Sequence, residues 1–118
     1  MGMLNWLNSR FSSRGKALWL YRRGMARAKL HDQQGAVDDY SAAIDMPDAP
    51  SDVKAMALYN RALARVAAGD DRDGVDDLDV VLAMDEAPAN VKTMARQKLA
   101  KVELRSRKGS VSKHCAYP

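Results

Sequence analysis

Apolar and polar positions along this chain recur with a helical period in successive runs. Met3, Leu4, Leu7 and Phe11 fall on one side of residues 3–14, with Asn5, Asn8, Ser9 and Ser12 on the other, which predicts a short helix. Ser12-Ser13 offers a helix start, after which Ala17, Leu20, Tyr21, Gly24 and Ala28 keep helical spacing until His31-Asp32. A further helix is predicted at about 33–45: Ala36, Val37, Tyr40, Ala43 and Ile44 form the apolar stripe, Asp38, Asp39 and Asp45 point outward, and Pro47 and Pro50 stop it. Ser51 or Asp52 caps the next helix, which runs to about Ala68 and is closed by Gly69. Asp70 to Asp73 then turn the chain into a helix with Val75, Leu78, Val81 and Leu82 inward, ended by Pro88. The last predicted helix, about 89–105, shows Val91, Met94, Ala95, Leu99 and Val102 on one face and Lys92, Arg96, Lys98, Lys101 and Arg105 elsewhere.

These runs are copies of one another. Ala49–Ala57 reads APSDVKAMA and, 38 residues later, Ala87–Ala95 reads APANVKTMA. The same offset carries Tyr21–Arg27 (YRRGMAR) onto Tyr59–Arg65 (YNRALAR) and Val37–Tyr40 (VDDY) onto Val75–Leu78 (VDDL). A unit of this period cannot bury its own apolar face and must stack on a neighbouring copy. The domain plan is then a segment or capping helix at 1–15, a repeat domain at 16–105 and a tail at 106–118. Within the domain, hairpins lie at about 16–50 and 51–88 and a capping helix at 89–105. The tail, RKGSVSKHCAYP after Ser106, shows no period and reads as disordered and basic.

Charge sharpens this plan. Residues 1–29 hold seven Lys and Arg and no acid, residues 30–90 hold fourteen acids and four bases, and residues 91–118 hold eight bases and one acid. The ends are basic around an acidic middle, a segregation able to steer an acidic partner. Cys115 is the only cysteine, so no disulfide framework or thiolate cluster is present and a reducing, cytoplasmic setting is expected. The opening apolar run is too short for a signal-peptide core or a membrane span. It reads as a cap on the first hairpin or as a membrane-surface anchor using Trp6, Arg10 and Arg14.

The small and bulky positions resemble the tetratricopeptide repeat family, whose unit is a helix-turn-helix of about 34 residues. Gly24 and Ala62 match the small residue where the two helices cross, and Ala36 and Gly74 the small residue early in the second helix. Tyr40 and Leu78 match the bulky residue one turn later, Ala43 and Val81 the modest one after it, and Leu20 and Leu58 the first apolar place. The match covers about residues 16–105; Trp19 stands one residue before the family's place, and Arg23, Arg27, Arg61 and Arg65 stand where the family commonly has Leu or Tyr. Pairing of these arginines with Asp38, Asp39, Asp76 and Asp77 across the hairpin is the expected reason. The resemblance implies an all-α fold, an α-solenoid of stacked hairpins forming a fragment of a right-handed superhelix.

It also implies a concave groove lined by the leading helices: Tyr21, Arg22, Met25 and Lys29 from the first, Tyr59, Asn60 and Leu63 from the third, and Met94, Lys98, Lys101 and Arg105 from the last. Such a groove would be basic and suit an extended, acidic peptide or a free carboxylate, with Asn60 holding peptide backbone. The function so implied is a protein-binding adaptor or scaffold with affinity on the order of micromolar, about −8 kcal/mol. One subgroup of the family clamps acidic chaperone tails; Asn60 and Lys98 match its clamp, whereas Tyr21, Met25 and Met94 occupy its other places. The alternative is a nucleic-acid-binding accessory protein using the basic ends, among them Arg105, Arg107, Lys108 and Lys113. An enzyme is not expected: His31 sits in a turn, His114-Cys115 in the tail, and no phosphate loop, metal-spaced cluster or nucleophile motif occurs, so no cofactor is implied. Met and Leu side chains at the last helix leave open a monomer or a weak homodimer.

Overall fold

A computed structural model describes residues 12–115, and among these the regular structure is helical throughout, with no strand. The helices are α1 (Ser13–Lys29), α2 (Gln33–Asp45), α3 (Ser51–Ala67), α4 (Asp71–Ala83) and α5 (Ala89–Cys115). The short helix predicted at 3–14 falls mostly on residues 1–11, outside the described ones.

The joints repeat as the sequence does. At the end of α1 the Asp32 amide donates to the Arg27 carbonyl and the His31 amide to Ala28; at the end of α3 Asp70 donates to Arg65 and Gly69 to Val66. This is the Schellman pattern, which needs a left-handed residue just past the helix. His31 (φ 62) and Gly69 (φ 90) supply it. The next residue immediately caps the following helix, since Asp32 accepts from the Gly35 amide and Asp70 from the Asp73 amide. A three-residue joint therefore folds α2 back on α1, and α4 back on α3.

Between hairpins the chain crosses through Met46–Pro50 and again through Met84–Pro88, each closed by one backbone bond, Ala49 to Met46 and Ala87 to Met84. The cap of α3 is Pro50, with no side-chain bond, rather than Ser51 or Asp52. Both expected caps already lie inside the helix and are used elsewhere: Ser51 donates to Glu86, and Asp52 pairs with Arg14 of α1. At the far end α5 runs on to Cys115, through residues expected to have no regular structure. No proline interrupts residues 89–115.

Each helix packs on its sequence neighbours, and leading helices also meet: α1 touches α3, and α3 touches α5, while α2 and α4 do not meet. Three apolar clusters run through the domain. Ala17, Ala49 and Val53 lie toward the N-terminal side, Ala36, Tyr40, Ala43, Ala57 and Ala64 between the hairpins, and Leu58, Leu78, Val81, Val91 and Ala95 under α5. Ile44 packs against the second and third of these, making the interior continuous from one hairpin to the next.

The hairpin crossings are fitted pair by pair. A methyl on Gly24 would lie 2.6 Å from the Tyr40 ring, so the large ring is accommodated only because its neighbour has no side chain. In the second hairpin the same two places hold Ala62 and Leu78, a larger residue facing a smaller one, both fully buried. The reverse exchange occurs one turn away: Gly74 lies under Val66, whose counterparts in the first hairpin are Ala36 and Ala28. At each crossing a glycine in one hairpin faces a larger side chain, and its counterpart alanine in the other hairpin faces a smaller one, as close packing demands.

Candidate functional site

Leading helices that touch one another bring equivalent repeat positions into rows. Arg22, Asn60 and Lys98 are 38 residues apart and so hold the same place on α1, α3 and α5. Met25, Leu63 and Lys101 form a second row by the same arithmetic. Arg22 and Lys101 are exposed, and Asn60, Leu63, Met25 and Lys98 are half-buried.

The middle of the first row is held rigidly. The Asn60 carboxamide nitrogen donates to the Tyr21 hydroxyl at 3.0 Å and to the Met56 carbonyl at 2.9 Å. Tyr21 in turn lies against Tyr40, ring centres 6.0 Å apart and tilted by 44°. Asn60 is thus a tie between α1 and α3 before it is a ligand group, and its carboxamide oxygen is the atom left to accept from a partner. Burial pushes the Tyr21 hydroxyl up, opposed by the Asn60 bond, and burial likewise raises Tyr59, which packs on the cluster under α5. Both tyrosines are therefore chiefly seam residues.

The other sequence-predicted residues scatter. Lys29 is exposed in the last turn of α1, and Met94 is exposed on α5. Arg105 is turned to the trailing helix α4, where one guanidinium nitrogen contacts both oxygens of Asp71 at 3.0 Å. Its charge is drawn to the acidic first turn of α4, an ordinary attraction of acid and base near a helix start.

Asp39, expected on the outside, is buried, and so is its repeat counterpart Asp77. Asp39 receives Arg23 through two nitrogens at 3.0 and 2.8 Å and Arg27 at 3.3 Å; Asp77 receives Arg61 at 2.9 and 2.7 Å and Arg65 at 2.8 Å. The carboxylates are 3% and 5% exposed, and the two-armed arginine grip explains how a charge is kept there. Asp38 and Asp76 stay exposed, with Asp38 accepting from Gln34. The signal was present in the repeat, where both arginines and the aspartate recur together at the 38-residue offset. Arg61 also donates to the Ser41 hydroxyl of the preceding hairpin. With these four arginines committed internally, Arg22, Lys98 and Lys101 carry the charge of the two rows.

Sequence reasoning passed over a second feature. Trp19 is 57% exposed, capped on one face by Arg23 at 4.5 Å, and forms an apolar groove with Lys16, Leu20 and Met46. No grouping of three His, Cys, Asp or Glu able to hold a metal ion occurs among the described residues, and no described helix is long and apolar enough to cross a membrane. No family model, curated protein or solved structure matches this chain.

Proposed function

We propose that this chain is a protein-interaction module of the tetratricopeptide-repeat type, an adaptor that holds an extended acidic peptide along its leading helices. The observation that carries this reading is the row Arg22, Asn60, Lys98 on the three leading helices, of which α1 touches α3 and α3 touches α5. Packed helices lie about 8–10 Å apart, so the two cations are separated by roughly 16–20 Å. An extended chain covers that distance with about five or six residues. The fitting ligand carries two acidic side chains, or one and a terminal carboxylate, at that separation, with its backbone amide meeting the Asn60 carboxamide oxygen between them. Charge-assisted bonds from Arg22 and Lys98 supply affinity, and the second row adds the Met25 and Leu63 surface and the Lys101 cation. The lone cysteine fits a reducing compartment such as the cytoplasm.

Titration with a six-residue acidic peptide by calorimetry tests this. Arg22→Glu and Lys98→Glu should each weaken binding about tenfold or more, since a charge-assisted bond contributes roughly 1.5–3 kcal/mol, with the melting temperature unchanged. Undiminished binding in both variants sinks the reading. Nucleic acid is the second reading, favoured by Arg107 and Lys108, which are exposed on α5. Its signature is salt-dependent retention on RNA that disappears when Arg107 and Lys108 become glutamate.

A further inference from the structure

The open end of the first hairpin differs from every other seam. At the place that Trp19 holds on α1, α3 has Ala57 and α5 has Ala95, and both alanines are fully buried under the helix that precedes them. Trp19 has no described helix before it and is 57% exposed. Leu20 is half-buried where its counterpart Leu58 is 6% exposed. Together with Lys16 and Met46 they line a groove of about 620 Å³ whose walls are almost entirely apolar.

We propose that residues 1–11 of the same chain dock in this groove and cap the first hairpin, an inference that stands apart from the peptide reading above. Register carries the argument. Ser12, Pro50 and Pro88 are separated by 38 residues; Ser12 and Pro50 cap α1 and α3, and Pro88 immediately precedes α5. The chain therefore enters α1 in the register in which it enters α3. Carried back by one repeat, residues 1–7 take the place of residues 39–45, the second half of α2. Trp6 then falls where Ile44 packs against two core clusters, and Phe11 falls where Ala49 and Ala87 are buried. Met3 falls at Ser41, the residue that meets Arg61, and the counterpart of Arg61 is the Arg23 that stacks on Trp19. The segment is apolar at Met1, Met3, Leu4, Trp6, Leu7 and Phe11 with Arg10 its one charged side chain, which matches a groove with Lys16 as its one charged lining residue.

A second copy is the poorer occupant. Head-to-tail stacking would bring the basic start of one chain, seven Lys and Arg with no acid over residues 1–29, toward the basic end of another, eight bases and one acid over residues 91–118. The segment that precedes Ser12 reaches the groove without that opposition and with no loss of translational freedom.

Trp6→Phe leaves Trp19 as the only tryptophan, so its fluorescence reports the groove in the full-length chain. The expected result is a blue-shifted Trp19 protected from acrylamide, independent of protein concentration. Adding Met3→Asp and Phe11→Asp, the residues that the register places toward the groove, should shift its emission to the red and raise quenching, with far-UV circular dichroism showing the described helices intact. Nuclear Overhauser contacts from the Trp19 indole to the Met3 methyl or the Phe11 ring should persist when labelled chain is diluted into unlabelled chain. Equal quenching with and without the aspartates overturns the proposal, and so does protection that grows with concentration or contacts that appear only between chains.

Discussion

Replacing Gly24 with alanine asks whether the hairpin crossings are matched as pairs. The added methyl would sit 2.6, 2.8 and 3.1 Å from three carbons of the Tyr40 ring. That ring is 1% exposed and enclosed by Ala36, Ala43, Ala57 and Ala64, so it cannot swing clear. Overpacking of this kind costs about 1–3 kcal/mol. Alanine returns about 1 kcal/mol through its higher helix propensity. The net expectation is a destabilisation of up to about 2 kcal/mol, from the same two sources. Tyr40→Leu alone leaves a cavity beside Gly24 and should cost about 2–3 kcal/mol. The double variant rebuilds the Ala62 and Leu78 pairing of the second hairpin, so its cost should fall short of the sum of the singles by about 1–2 kcal/mol. Urea denaturation followed by circular dichroism measures all four corners of this cycle. Strict additivity would refute the reasoning, because it would mean that Gly24 and Tyr40 do not share one volume.

Asp77→Ala should cost about 3 kcal/mol in the same assay and Asp39→Ala only about 1–2, because Arg61 and Arg65 are left more deeply buried than Arg23 and Arg27; equal costs would show that burial of the arginines does not set the penalty. His31→Gly should be neutral or stabilising by up to about 1 kcal/mol, and Gly69→Ala destabilising by about 1 kcal/mol, since both positions hold positive φ and nothing lies within 4 Å of a side chain at residue 69. A melting temperature that moves the other way in either variant contradicts the shared Schellman turn. Tyr40 is pushed up to about 12, first by burial and then by Tyr21 and Asp39, from an ordinary value of 10.0. Its raised value favours the neutral folded form, so its contribution is complete below pH 10 and is lost as pH rises from there through about 12, roughly 2–3 kcal/mol in all. Alkaline denaturation of Tyr40→Phe should be flatter over that window, and an unchanged slope would assign the effect to other groups.

Helix positions and hairpin joints were legible in the sequence because they rest on local features. The stripe Ala36, Val37, Tyr40, Ala43 and Ile44 and the stops at His31-Asp32 and Gly69-Asp70 act within one or two turns; the stripe lies on the helix at 33–45, and the helices at 13–29 and 51–67 end just before those stops. Asp39 was misplaced because periodicity scores a carboxylate as surface, while its burial, like that of Asp77, depends on arginines 12 and 16 residues away. The repeat nevertheless preserved all three members, which is the physical reason pairing was foreseeable when burial was not. The cap of α3 was misread since Ser51 and Asp52 have the right chemistry, yet their oxygens are drawn to Glu86 and Arg14 across the seams. Asn60 was read as a peptide-holding group, and nothing local reveals that the Tyr21 hydroxyl, 39 residues earlier, takes one of its donors. In the sequence Trp19 is a displaced repeat residue; only its comparison with the buried Ala57 and Ala95 shows that it stands exposed at a place the other leading helices bury.

The central claim is that the row of Arg22, Asn60 and Lys98 on touching leading helices grips an acidic peptide. Backbone amide shifts recorded while a six-residue acidic peptide is added to isotope-labelled chain test it most directly. The account predicts saturable shifts concentrated around residues 21–25 of α1, 59–63 of α3 and 94–101 of α5, and absent from the trailing helices α2 and α4. Shifts confined to α5 beyond Arg105, centred on α2 and α4, or missing altogether would contradict it.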